Sequence, residues 1–149
     1  MEIRNICVVG AGNMGHQIAL CGAIAGYRVQ CTDVNGETLR AAQRFADTYL
    51  PERVAKGKLP AETAQAAGEN ISFTADLAEA AAGADLVIEA ATEKLDLKRD
   101  IFAQLDPGTH RRWVMPGPRH PGHQQFVHRQ LPVKGRHPTP RQGMQHALL

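Results

Sequence analysis

Near the start of the chain stand Gly10-Ala11-Gly12-Asn13-Met14-Gly15, and an acid, Asp33, follows 18 positions after the last of these glycines. Residues of these types at this spacing can hold a dinucleotide. Gly10 permits a tight turn, Gly12 carries no side chain to keep a pyrophosphate off the backbone, and Gly15 lets a helix lie close on a strand. The free amides where that helix starts, from Asn13 and Met14 onward, face the phosphates together with the helix dipole. Asp33 can accept hydrogen bonds from ribose hydroxyls. Its charge repels a 2′-phosphate and no arginine follows it directly, so NAD is favoured over NADP. FAD enzymes share the pattern, and a glycine turn with no ligand is the plainer alternative.

The elements that must position these residues are legible on either side. Residues 5–9 form a short apolar run with β-branched members, as a strand covered on both faces should. Met14, Ile18, Cys21 and Ala25 fall at helical spacing, and Gly26 stops that helix. Residues 27–32 read as a second strand. A longer helix is predicted over 37–56, with Leu39, Ala42, Phe45 and Tyr49 on one face, and Gly57-Lys58-Leu59-Pro60 ends it. A short helix over 61–68, a strand over 71–74, a helix over 77–82 capped by Asp76, a strand over 85–90 and a helix over 94–105 complete the series. Strands alternating with helices imply parallel pairing through right-handed crossovers. The fold class is therefore α/β, a doubly wound parallel sheet.

Composition sets the outer bounds. A chain of 149 residues with 43% hydrophobic residues can bury one core, and no apolar run approaches the length of a membrane span. No signal peptide is visible, and Cys7, Cys21 and Cys31 lack ligand-like spacing. They read as buried, reduced thiols of a cytoplasmic protein. The net charge of +2 hides two unlike halves. Residues 1–106 hold ten Lys/Arg against fifteen Asp/Glu, whereas residues 107–149 hold seven Lys/Arg and no acid, with six of the seven histidines and seven of the nine prolines. The second segment is expected to be largely without regular structure. Its histidines, amid prolines, offer no defined zinc geometry. Its basic excess lacks the aromatic platform that selected nucleic-acid binding would bring.

Over residues 3–106 the chain resembles the L-3-hydroxyacyl-CoA dehydrogenases, including the 3-hydroxybutyryl-CoA dehydrogenases. The resemblance is carried by VVGAGNMGHQIA, GYRVQCTDVN, the KGKL segment, ISFTADL and, most specifically, ADLVIEAATEKLDLKRDIFAQLD. It implies a Rossmann domain that binds NAD through Gly10, Ala11, Gly12, Asn13, Met14, Gly15 and Asp33. It also implies that Glu93 and Lys98 lie near the nicotinamide half and the substrate, and that Lys56 contacts the CoA moiety. Glu93 and Lys98 can alternatively be a solvated helix start, and Lys56 a solvated charge at a helix end. His16 reads as a solvated or capping residue rather than a chemical one.

The implied reaction oxidises a 3-hydroxyacyl-CoA to the 3-ketoacyl-CoA as hydride passes to NAD. In the family a His-Glu pair removes the hydroxyl proton, and a Ser and an Asn hold the substrate oxygen. The Ser belongs to a motif resembling TNTSS and the His to one resembling HFFNP. Neither motif is present, and the all-helical second domain that supplies substrate closure and dimer contacts is expected to be absent. No catalytic residue is assigned. Reading codons permitted for Gly122–Gln130 one base later allows ATNSSSIAS, and the same shift over Gly143–Leu149 allows VCNMHFF, so the segment after about Asp106 reads as a frameshift. The expected function is a truncated NAD-binding half, inactive alone, of a dehydrogenase acting on an acyl-CoA, with no membrane partner. The alternative is a non-catalytic nucleotide-binding module whose basic tail recruits a partner.

Overall fold

The computed structural model describes residues 2–91 and the backbone of two later strands, Arg112–Pro116 and Phe126–Gln130. Five parallel strands and one antiparallel edge strand make a single sheet. In chain order the elements are β1 (Asn5–Val9), α1 (Asn13–Ile24), β2 (Arg28–Thr32), α2 (Gly36–Ala55), α3 (Ala61–Asn70), β3 (Ile71–Thr74), α4 (Leu77–Ala81), β4 (Leu86–Glu89), β5 (Arg112–Pro116) and β6 (Phe126–Gln130). The strand order is β3-β2-β1-β4-β5-β6, with β6 alone antiparallel, on β5. This is the doubly wound arrangement read from the sequence. Its topological switch point falls between β1 and β4, where ligands of such sheets bind at the carboxyl ends.

Local chemistry sets the element ends. Both α1 and α2 close on a glycine at positive φ, Gly26 (φ 97°) and Gly57 (φ 65°). After each, two amides reach back in a paired cap: Gly26 N to Ala23 O and Tyr27 N to Gly22 O, then Gly57 N to Val54 O and Lys58 N to Arg53 O. Asn35 caps α2 by accepting from the amides of Glu37 and Thr38, and Asp76 caps α4 by accepting from Glu79 N. At the amino end of β1, one Asp85 oxygen accepts from Arg4 N at 3.0 Å, Asn5 N at 2.9 Å and Asn5 Nδ2 at 3.2 Å. These bonds tie β1 to the start of β4 and hold the Asp85 carboxyl below its usual range.

The core lies on both faces of the sheet. Ile6, Val8, Val29 and Cys31 meet α1, α2 and α3 on one face through Ala19, Ala23, Leu39, Ala42 and Leu50. Cys7, Val9 and Val87 meet Ala80, Ala81 and Ala84 on the other. The phase of α1 corrects the sequence reading. Gly15, Ala19, Leu20 and Ala23 are buried, whereas Met14 is 52% exposed, and Cys21 and Ala25 are exposed. This helix contains no Asp, Glu, Lys or Arg, so hydrophobicity alone cannot phase it. Close approach to the sheet selects the stripe with the smallest side chains. Cys21 is accordingly not the buried thiol expected, while Cys7 and Cys31 are buried.

A second difference concerns the segment after Asp106. Arg112–Pro116 pairs in parallel with β4, and Phe126–Gln130 returns antiparallel beside it. The prolines after Asp106 predict a segment largely without regular structure, but Trp113-Val114-Met115 is a short strand-favouring run, and Pro116 stands at its end, where a proline is tolerated. The helix predicted over 94–105 lies outside the described residues.

Candidate dinucleotide site

The site forms where β1 and β2 end. Val9 is level with Thr32 on one side and Glu89 on the other. Beyond Val9 the chain turns at Gly10, whose φ of +102° suits only glycine and whose amide donates to Thr32 O at 2.7 Å. A Cβ at Gly10 would stand 2.7 Å from Ala91 N, against the chain leaving β4. A Cβ at Gly15 would press into the Gly10 carbonyl, 2.7 Å from its carbon. These two glycines are therefore required by the protein's own packing.

Gly12 is different. Its φ of −64° and ψ of −171° are open to any residue, and a Cβ there would meet nothing within 4 Å. The protein's own packing does not need a glycine at this position. Gly12 is also the N-cap of α1, and no side chain caps the helix. The first intrahelical bond runs from His16 N to Gly12 O at 3.1 Å, so Asn13, Met14 and Gly15 amides precede the ladder. The first turn holds no acid, which leaves its positive dipole end for an anion.

Asp33 joins the same site. Its Oδ2 accepts from Ala11 N at 2.9 Å and its Oδ1 from Asn35 N at 2.9 Å. Each oxygen keeps further lone pairs for ribose hydroxyls. The bond to Ala11 ties the acid to the glycine turn itself, a link that spacing alone did not reveal. Val34, directly after it, is 87% exposed. Cys31 lies beneath the turn with its Sγ 3.8 Å from Gly10 O, and burial pushes its thiol up to about 12. Glu89, fully buried one step from the turn, was not assigned from the sequence. Its one signal is an acid inside an apolar strand.

Gly10, Ala11, Gly12, Asn13, Met14, Gly15 and Asp33 thus converge on one constellation. Lys56 does not join it. This exposed residue is the C-cap of α2, and a helix of 20 residues separates its two ends by about 30 Å. Glu93 and Lys98 lie outside the described residues. His16, read as solvated or capping, is half-buried, with its ring 4.6 Å from that of Phe45. Among the described residues no group of three or more His, Cys, Asp or Glu could hold a metal, and no helix is long and apolar enough to cross a membrane.

Residues 5–115 match the NAD-binding domain of 3-hydroxyacyl-CoA dehydrogenase. The chain belongs to this family. The match passes the boundary at 106 drawn from the sequence and takes in Glu93 and Lys98. The chain is 39% identical over 105 residues to the 3-hydroxyadipyl-CoA dehydrogenase of Escherichia coli K12, covering 70% of this chain and 22% of that protein. It is also 39% identical over 106 residues to a probable 3-hydroxybutyryl-CoA dehydrogenase of Bacillus subtilis 168, covering 71% and 37%. The crystal structure of (S)-3-hydroxybutyryl-CoA dehydrogenase from Ralstonia eutropha superposes with a TM-score of 0.64 at 33% identity, covering 70% of this chain and 37% of that one. The chain therefore spans between about a fifth and two fifths of the length of these relatives. The cofactor of the family domain is NAD, and the uncapped α1, the bare Gly12 and the doubly held Asp33 fit it.

Proposed function

We propose that this chain is the dinucleotide-binding half of an oxidoreductase interconverting a 3-hydroxyacyl-CoA and a 3-ketoacyl-CoA. NAD, when bound, takes the hydride. The chain's own residues bind and orient it. The α1 amides receive the pyrophosphate, and Asp33 accepts from the adenosine ribose and disfavours a 2′-phosphate. Glu93 and Lys98 would flank the nicotinamide half, beyond the carboxyl end of β4. Lys56, at the far end of α2, would meet the CoA portion of the acyl substrate. The single observation that carries the reading is Gly12, a glycine demanded by no neighbour in the protein, at the mouth of an uncapped helix.

The sequence holds no match to the TNTSS-like and HFFNP-like motifs that would carry the groups holding the substrate oxygen and the general base. We assign residues 1–106 to the dinucleotide domain and the segment after about 106 to an out-of-frame reading. The codons permitted over Gly122–Gln130 and Gly143–Leu149, read one base later, support this, and sequencing the gene across codons 104–150 tests it. The parent enzyme would be a cytoplasmic homodimer, a reading that rests on the resemblance. The chain is expected to bind NADH weakly and to turn over no acetoacetyl-CoA with it. Ordinary turnover by the purified 149-residue chain would refute the proposal.

A further inference from the structure

Ala11 is held at both of its backbone polar atoms. Its N–H donates to Asp33 Oδ2 at 2.9 Å, and its carbonyl lies 3.3 Å from Nδ1 of His16. A carbonyl oxygen can only accept, so His16 contributes Nδ1–H to this bond. The ring cannot swing away freely, because it packs on Phe45 with centroids 4.6 Å apart. Phe45 in turn stacks on Tyr49 at 5.3 Å, and Arg53 lies over Tyr49 at 5.6 Å. One side of α2 thus braces the His16 imidazole against the glycine turn.

That carbonyl shares its peptide plane with the N–H of Gly12. The plane is rigid and trans, so fixing the carbonyl on His16 points the Gly12 N–H the opposite way. Gly12 is the N-cap from which the free amides of Asn13 and Met14 follow. Gly12 has no Cβ to restrict rotation of this plane, and no neighbour within 4 Å of where one would stand. Without an outside constraint the peptide could reorient and carry the amides off an oncoming phosphate. From this geometry we infer that His16 is a positioning residue: its Nδ1–H on the Ala11 carbonyl presets the amides that receive the diphosphate. The inference rests on the dinucleotide reading of the site and adds to it a residue that the glycine pattern does not contain.

Two substitutions separate the donor from the ring. His16→Phe keeps the stack on Phe45 and removes the donor. His16→Asn keeps a donor at the Nδ1 position and removes the stack. Adenosine and ADP are titrated against the full 149-residue chain, with thermal melting in parallel. His16→Phe is expected to weaken ADP about five-fold, the worth of one hydrogen bond, with adenosine unchanged and the melting temperature retained. His16→Asn is expected to keep ADP affinity and to lower the melting temperature by several degrees, since it removes the ring pair with Phe45. Long-range ¹⁵N–¹H spectra of the free wild-type chain should show the proton on Nδ1. A proton on Nε2 with Nδ1 bare, or ADP affinity unaltered in His16→Phe, overturns the inference alone. A wild-type chain that binds neither adenosine nor ADP overturns the dinucleotide reading, and this inference with it.

Discussion

Replacing Gly12 and Gly15 in turn by alanine should break two different things. At Gly15 the new methyl would press into the Gly10 carbonyl, 2.7 Å from its carbon, with the Ala90 side chain 3.5 Å away. Ordinary carbon contacts sit near 3.5–4.0 Å, so α1 must lift off the turn. Overpacking of this kind costs about 1–3 kcal/mol or more. In a domain of this size each kcal/mol shifts the melting temperature by about 4–8 °C, so Gly15→Ala should melt roughly 10 °C below the parent. At Gly12 the methyl meets nothing within 4 Å, and the backbone there is already in an extended conformation that alanine adopts. Alanine is a poorer N-cap than glycine, but it also removes freedom from the unfolded chain. The two effects oppose, leaving stability within about 1 kcal/mol of the parent. The methyl does occupy the approach of the pyrophosphate. NADH affinity should therefore fall at least about ten-fold, equivalent to 1.4 kcal/mol. Circular dichroism melts and NADH fluorescence titrations decide the matter. If Gly12→Ala bound NADH as tightly as the parent, or lost as much stability as Gly15→Ala, the division of the glycines into a ligand position and a packing position would be wrong.

Other consequences follow from the same geometry. Asp85→Asn should destabilise the chain at neutral pH by weakening the bonds to the Arg4 and Asn5 amides. The folded Asp85 carboxyl sits below its ordinary value of 3.8, so its contribution is present above that value and lost as pH falls through the lower folded one. The gap between parent and variant in urea melts should narrow below about pH 3.8 and stay open between pH 5 and 7. Of the three described thiols, Cys21 is exposed while Cys7 and Cys31 are buried. At pH 8 iodoacetamide should modify Cys21 in the native chain and reach Cys7 and Cys31 only on unfolding, with peptide mass mapping as the readout. Asn35→Ala removes the cap that accepts from Glu37 N and Thr38 N and should cost about 1 kcal/mol of stability. A variant melting with the parent would contradict that cap.

Much of this fold could be read from residue order because its signals are local. The β1 strand matched its prediction at residues 5–9 and β3 at 71–74, the former a continuous apolar run and the latter a short run that follows α3 directly and stops before the Asp76 cap. Asp76 was legible as a cap because its side chain serves a neighbour three residues on. The face of α1 was not legible. A helix without a charged residue is apolar all round, and which stripe turns inward depends on the closeness of the Gly10–Gly15 contact across the turn. The expected and observed α2 faces share Leu39 and Ala42, but Phe45 and Tyr49 stand half-buried beside the buried Ala46 and Leu50. Their stack under His16 and Arg53 depends on how α1 and α2 sit together, and no local pattern encodes that. At the site, the glycines and Asp33 were readable from spacing. The hydrogen bond from Ala11 N to Asp33 Oδ2 joins residues 22 apart, and only the β1–β2 register brings them together.

The central claim is that the turn at Gly10–Gly15 and the Asp33 carboxylate grip the two ends of an adenosine diphosphate. Isothermal titration of NAD into the 149-residue chain and its Asp33→Ala variant tests it most directly. Asp33 can offer charged acceptors to the ribose hydroxyls, each bond worth about 1.5–3 kcal/mol. Measurable heat with the parent, weaker binding of NADP, and a loss of at least about ten-fold in NAD affinity in the variant are expected. No heat with the folded parent, or equal affinity in Asp33→Ala, would contradict it.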